Sequence, residues 1–590
     1  MQRSTLLVPV VMLCGLASGL PRARAEAEED HHPLPDGYLV APFENRSPVA
    51  ALDWMSSALA TTVAEKLEVH PALRPVYSAE ILEGFPLAFD AAAVAGRASD
   101  RGARWVFAGS FARPNWKAEV TVRLYEVVGE KELRQVAEVT ERGEREQLFE
   151  LLDRCLVGVL DKKGFATQGE ALAGLRRRPT KDLYALTLYG RVLNQYYGLK
   201  GPADVAGAEK LLRRVLFIDP NFAEAHRMLG VILLSRGEPG KAAGQYAHAL
   251  DLRPGYYGAL VALAHLYRAE NRRQPAAELA VRALEQRPYD AEMRYLLGTL
   301  EWEGGELDKA LKDLLRVTSE HPHHLLAHRA LVQVYASKGN IEALAEELEQ
   351  VVALAPDDID VRLDLGAALM RLAKYQEASL VFEEVLKRKP KNAQALKLSG
   401  DLYRRMGDPE RAIATYERMR RVNPEDPRPY FLLSAAYVDA GNDAKAEAVL
   451  QDAAGQFHRY LGEVWIDLGA LALRRGEYGR ATALLEKAIS RAPYRSKAHF
   501  NYALLLNATN QRDKALAELR SAAELDPEDP DIPYLAGVIY LRLGRLGEAK
   551  TEFVEALRIR PSHADAQHNL TLLEDLEKRY DSERAGTGAQ

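Results

Sequence analysis

Cysteine is almost absent: the 590 residues hold two, Cys14 and Cys155. Cleavage of an N-terminal leader carrying Cys14 leaves one thiol, so no internal disulfide can staple the chain and paired cysteines for zinc are excluded. Cys155 lies among Leu151, Leu152, Leu156 and Val159, a helical apolar stripe, and reads as a core thiol. Long apolar runs are missing too. Beyond the first 20 residues no stretch reaches about 18 consecutive apolar residues, so no integral membrane segment is expected after the leader. Nor is there an excess of positive charge: 78 Lys and Arg against 84 Asp and Glu give a net charge of −6. A nucleic-acid partner would leave a basic footprint, and none is present.

Catalytic motifs are equally scarce. There is no Gly-x-Ser-x-Gly elbow and no His-Glu-x-x-His. Gly237-Glu238-Pro239-Gly240-Lys241 has the glycines and lysine of a phosphate loop, but its glycines stand too close together. No Ser or Thr follows Lys241, and Pro239 removes a backbone donor, so the segment reads as a turn between helices. His321, His323, His324 and His328 cluster, and His324 and His328 are spaced to share a metal on one helix face. Their one close carboxylate, Glu320, lies beyond Pro322, so a turn followed by a helix face is the simpler reading. Asp526, Glu528, Asp529 and Asp531 lack the glycine of a calcium loop. The expectation is a protein that is not an enzyme and has no cofactor and no metal.

The first residues carry an address. Arg3 gives a small positive region, residues 6–20 are mostly apolar, and Ala23-Arg24-Ala25 offers a cleavage site ahead of Glu26-Ala27-Glu28-Glu29-Asp30. That pattern predicts a secretory signal over 1–25 and a mature, periplasmic protein of the cell envelope beginning at Glu26. An uncleaved anchor is the alternative, given Arg22 and Arg24 beside the site. Leu13 before Cys14 is too large for a lipid-attachment signal.

Proline sets the main ruler. Pro220, Pro254, Pro288, Pro322, Pro356, Pro390 and Pro424 recur every 34 residues, and Pro493, Pro527 and Pro561 continue the series after a unit with His458 at the proline position and one inserted residue. Within a unit the small, large and proline positions also recur: Leu229-Gly230, Leu233, Ala242, Tyr246, Ala249, Pro254 in one, and Gly400, Tyr403, Gly407, Ala412, Tyr416, Pro424 in another. This period and pattern resemble the tetratricopeptide-repeat (TPR) family. The resemblance implies a mainly α fold, an α-solenoid of about eleven repeats over residues 181–563, in which each unit stacks on its neighbours because it cannot bury its own apolar face. Residues 564–580 read as a capping helix with Leu570, Leu573 and Leu576 inward, and 581–590 as a disordered tail.

Residues 36–165 follow another plan. Strands are predicted at 38–43, 73–77, 104–111, 120–126 and 135–139, with helices at 52–69 and 147–160 and two short helical stretches before the third strand. The mixture suggests a small α+β sandwich. Pro42-Phe43-Glu44-Asn45-Arg46-Ser47, Leu52-Asp53-Trp54 and Gly102-Ala103-Arg104-Trp105-Val106-Phe107-Ala108-Gly109-Ser110 resemble the TolB amino-terminal-like domain, shared in outline with FlgO-type and CsgG-type envelope proteins. That resemblance implies docking or assembly. Asn45 and Ser47 by themselves read as turn residues at a strand end. Residues 166–180 form a linker, across which few contacts are expected.

By the TPR resemblance, the second, fifth, sixth, ninth and twelfth positions of each first helix face a ligand. The fifth positions run Arg227, Val261, Tyr295, Arg329, Leu363, Lys397, Phe431, Ile466, Phe500 and Tyr534. Lys397 is followed by Asp401 where the carboxylate-clamp type of repeat has asparagine. Tyr295, Arg329, Lys397, Phe431, Ile466, Phe500 and Tyr534 are the candidate groove, the last four forming an apolar column. The expected function is an exported scaffold or adaptor that binds a protein or peptide partner within a cell-envelope assembly. The alternative is a regulatory subunit that activates an envelope enzyme such as a cell-wall synthase.

Overall fold

The computed structural model describes residues 36–68, 70, 72–75, 89–100, 102–113, 117–129, 131–165, 167–199 and 202–587. The expected leader, its cleavage site and the far end of the strand expected at 73–77 lie outside them. The chain divides into two compact units, residues 1–340 and 341–590.

The first unit opens with a mixed sheet of β1 (Asp36–Val40), β2 (Glu44–Asn45), β3 (Leu73–Pro75), β4 (Trp105–Ala112), β5 (Ala118–Gly129) and β6 (Glu132–Gly143). Its order is β3-β1-β4-β5-β6, with β2 also paired to β4. β1 runs parallel to both β3 and β4, and β4, β5 and β6 form an antiparallel meander. Alternation along the strands sends side chains to two faces. Tyr38, Val40, Trp105 and Phe107 pack with α1 (Trp54–Leu67) and, further along the chain, α3 (Leu148–Lys163), whereas Leu39, Ala41, Val106 and Ala108 pack with α2 (Ala91–Asp100). The expected sandwich is thus a sheet with helices on both faces. Asn45 does make a turn: its amide donates to Val49 O and its Oδ1 accepts from the Ser47 N–H. Cys155 is fully buried on α3 and donates to Val120 O at 3.2 Å, and burial pushes its thiol up to about 12.

Among the described residues, helices then pair antiparallel within each unit, four pairs in the first, from Leu183–Tyr196 with Val205–Ile218 to Ala291–Glu303 with Leu307–Glu320, and six in the second, from Ile359–Arg371 with Tyr375–Arg388 to Asp531–Arg542 with Leu546–Ile559. The small-and-large code explains how each pair closes. A Cβ added at Gly400 would stand 2.2 Å from the Tyr416 ring, and one at Gly366 2.2 Å from the Phe382 ring, so only glycine lets the second helix bring its aromatic residue across. The turn between helices needs a left-handed residue. Gly407, Gly441, Gly476 and Gly544 supply it in the second unit, but Ala373 takes the same place at φ 57°. Relieving that strain, Ala373→Gly is expected to stabilise the unit by about 0.5–1 kcal/mol, read as a higher urea midpoint. The residue inserted after His458 is absorbed in a single 3-10 turn, His458–Tyr460, ahead of helix Leu461–Arg474.

The terminal helix runs Ala564–Thr587, past the end expected at residue 580, because no proline and no glycine interrupts it before Gly586. Leu573 is buried and Leu570 packs beside it, but Leu576, expected inward, is 53% exposed.

The expectation of few contacts across residues 166–180 is corrected. That stretch contains α4 (Gly169–Leu175), and Leu175 is fully buried. Lys66 on α1, 3% exposed, pairs with Asp153 at 2.7 Å and donates to the carbonyls of Leu175 and Arg177 at 2.5 and 2.6 Å. α1 then packs on α5 (Leu183–Tyr196): Ser57 donates to Asn194 Oδ1 at 2.6 Å, and a Cβ at Gly190 would stand 2.4 Å from Trp54 O. Sheet, α1, α3 and the first repeats share one apolar core.

Candidate functional site

Two different things happen to the repeat positions that face a ligand in the family. In the first unit the α/β region covers those around Glu224 and Arg227. Arg227, at a fifth position, is 7% exposed and donates from Nε to Tyr256 Oη at 3.0 Å, and that hydroxyl donates to Glu65 of α1 at 3.1 Å. Glu224, at the second position, is buried against Arg253 at 3.3 Å and Arg177 at 3.5 Å. Two further ties follow, Arg287 to Glu68 at 2.8 Å and the Tyr289 hydroxyl to Leu73 O at 3.4 Å. This end of the groove is occupied by the chain itself.

Burial holds the Glu65 carboxyl well above the ordinary carboxylate range, and Glu224 beside it adds to the rise. The folded chain therefore binds that proton more tightly than the unfolded chain does. The stabilisation is complete below the ordinary glutamate value and is lost as pH rises through the raised value. Melting temperature is expected to fall as pH rises from the ordinary glutamate value through the raised one. Glu65→Gln should flatten that slope while keeping the hydrogen bond from Tyr256.

The candidate residues differ in their surroundings. Tyr295 is half-buried with its ring 5.3 Å from the His324 ring, and Arg329 is half-buried. His324 caps its own helix by accepting from the Ala327 N–H at 3.1 Å, and His328 Nε2 bonds to Pro322 O at 3.0 Å, so both rings serve local structure. In the second unit, Lys397 pairs with Asp401 at 2.7 Å, and Asp401 also accepts from the Tyr416 hydroxyl at 2.6 Å. Ile466 is 3% exposed and packs with Ala488 and Ala498, which corrects its placement in the groove: it is core. Phe500 and Tyr534 are half-buried against the apolar cluster of the last repeats.

Phe431 lines an open cleft of about 260 Å³. Its floor is Phe431, Ala435 and Val438 of helix Arg428–Asp439 with Ala470 and Leu471 of helix Leu461–Arg474. Charges ring it but are mostly paired with each other, Arg404 to Asp439 at 2.6 Å and Lys497 to Asp467 at 2.8 Å. The hydrogen bond from Arg404 to Asp439 holds that guanidinium above its ordinary value. Fifth positions alone missed Ala435, Val438, Asp467, Ala470 and Lys497. They occupy the ninth, twelfth, sixth, ninth and second places, so reading all five positions per repeat finds them. Among the described residues no group of three His, Cys, Asp or Glu is placed to hold a metal ion.

Two family models, both described as tetratricopeptide repeat, match the chain, one over residues 342–402, 472–532 and 510–573 and the other over 203–257, 261–318 and 397–460. Together they take in more than half of it, and the chain is a tetratricopeptide-repeat protein. It is 24% identical over 296 residues to Protein CTR9 homolog of Arabidopsis thaliana, covering 48% of this chain and 27% of that one. It is 25% identical over 408 residues to Cellulose synthase operon protein C of Xanthomonas axonopodis pv. citri (strain 306), covering 65% and 25%. The matches thus span about a quarter of the length of these relatives. Among solved structures, yeast Tom70 is similar at 16% identity over 68% of this chain and 97% of that one, with a TM-score of 0.39. Proteins of this repeat class mediate protein–protein interactions, and no described helix is long and apolar enough to cross a membrane.

Proposed function

We propose that this chain is an exported, non-catalytic scaffold that holds a protein or peptide partner of the cell envelope in the cleft around Phe431. The observation that carries the reading is the cleft itself, an apolar floor inside a rim whose charges are largely neutralised by one another. Such a surface favours an apolar or amphipathic segment over a charged tail, and Lys397 is already held by Asp401. Export rests on residues 1–30 as read above, and the resemblance of the α/β region to the TolB amino-terminal-like domain supports a docking role for that part. A second reading, a regulatory subunit of an envelope synthase, draws support from the likeness to Cellulose synthase operon protein C. Affinity capture from envelope fractions with the full chain tests both. Several co-purifying structural or secretion components support the scaffold, a single synthase supports the regulator, and recovery of the chain only from cytosol with Met1 intact contradicts export.

A further inference from the structure

The first unit contains a second concave site that the repeat groove does not use. It lies where the start of α1, the end of β4, α3 and α5 meet, and has a volume of about 300 Å³. Its floor is apolar and mostly buried: Trp54, Met55, Phe111 and Leu148 are all at most 8% exposed. Two exposed arginines border it, Arg145 just ahead of α3 and Arg191 on α5. Among the described residues neither guanidinium has an ion pair or a hydrogen bond. Other arginines of the unit are paired, Arg154 with Glu141 at 3.0 Å and Arg178 with Glu150 at 2.8 Å.

We propose that this pocket binds a small amphiphile, an acyl or similarly apolar body with a carboxylate or phosphate head. The two halves of the site constrain the ligand from opposite sides. A guanidinium presents a planar fork of donors matched to carboxylate and phosphate oxygens, so open arginines at the mouth select an anionic head. An inorganic anion would leave the apolar floor unfilled, and a neutral hydrocarbon would leave the arginines unmatched. A pocket of this size takes a short to medium chain rather than a whole bilayer lipid. The floor is shared between the α/β region and the first repeat, so a bound ligand bridges them and stabilises their union through its binding energy.

Titrating the full chain with decanoate, and reading tryptophan fluorescence and melting temperature together, tests this. Decanoate is expected to bind saturably and to raise the melting temperature, with decanol at least about tenfold weaker. The double variant Arg145→Ser, Arg191→Ser changes only exposed side chains. It is expected to weaken decanoate by about tenfold or more and leave decanol unchanged. Decyl phosphate in place of decanoate tells which head is preferred; binding of either supports the site. Absence of binding by both up to about 1 mM, or unchanged affinity in the double variant, overturns it. So does arginine-dependent sedimentation with phosphatidylglycerol vesicles when neither soluble amphiphile binds, which would assign the arginines to a membrane surface.

Discussion

Lys66→Met is expected to destabilise the first unit by about 3–5 kcal/mol, the usual cost of breaking a buried ion pair from one side. Lys66 and Asp153 stand 2.7 Å apart at 3% and 12% side-chain exposure. Burial lowers the affinity of the lysine for its proton and raises that of the aspartic acid, so the pair exists because each ion holds the other charged. Without the ammonium, Asp153 loses the partner that offsets its burial, and the carbonyls of Leu175 and Arg177 lose their donor. The double variant Lys66→Met, Asp153→Leu removes the orphan charge but not the orphan carbonyls, and should recover part of the loss. Denaturant unfolding followed by tryptophan fluorescence checks both. A Lys66→Met chain as stable as the parent would show that α1 and α4 are held by apolar packing alone.

Phe431→Ala combined with Val438→Ser is expected to weaken partner binding well over tenfold, at about 2 kcal/mol for a true aromatic anchor. Both side chains line the cleft, and both are only partly buried. Their loss should therefore cost less stability than Leu468→Ala, a core truncation worth about 2–5 kcal/mol at 7% exposure. Measuring melting temperature and affinity on the same protein separates the two roles. A large drop in stability with unchanged affinity of the folded fraction would make Phe431 a packing residue.

The repeats were legible in the sequence because their physics is local and periodic. Gly400 and Tyr416 are 16 residues apart, within one unit, and the same pairing recurs as Gly366 with Phe382. The strands of the α/β region were also readable from alternation, to within a few residues at their ends. What was not legible depends on long separations. Tyr256 meets Glu65 across 191 residues, and Ser57 meets Asn194 across 137. No spacing rule points to such pairs, so nothing in the repeat pattern distinguishes Arg227, buried and bonded to Tyr256, from the other fifth positions. Ile466 failed for a nearer reason. Its helix begins at Leu461, directly after the 3-10 turn at 458–460, and the apolar fifth position there meets Ala488 and Ala498 rather than solvent.

The most direct test of the scaffold reading is site-specific photo-crosslinking in the cells that make this protein. A photoreactive phenylalanine analogue at position 431 is expected to capture a discrete protein partner from the envelope fraction. The same analogue at position 380, where Leu380 is 67% exposed on a second helix, should not capture it. Equal capture from both positions, or capture from 380 alone, would contradict the assignment of the cleft as the binding surface.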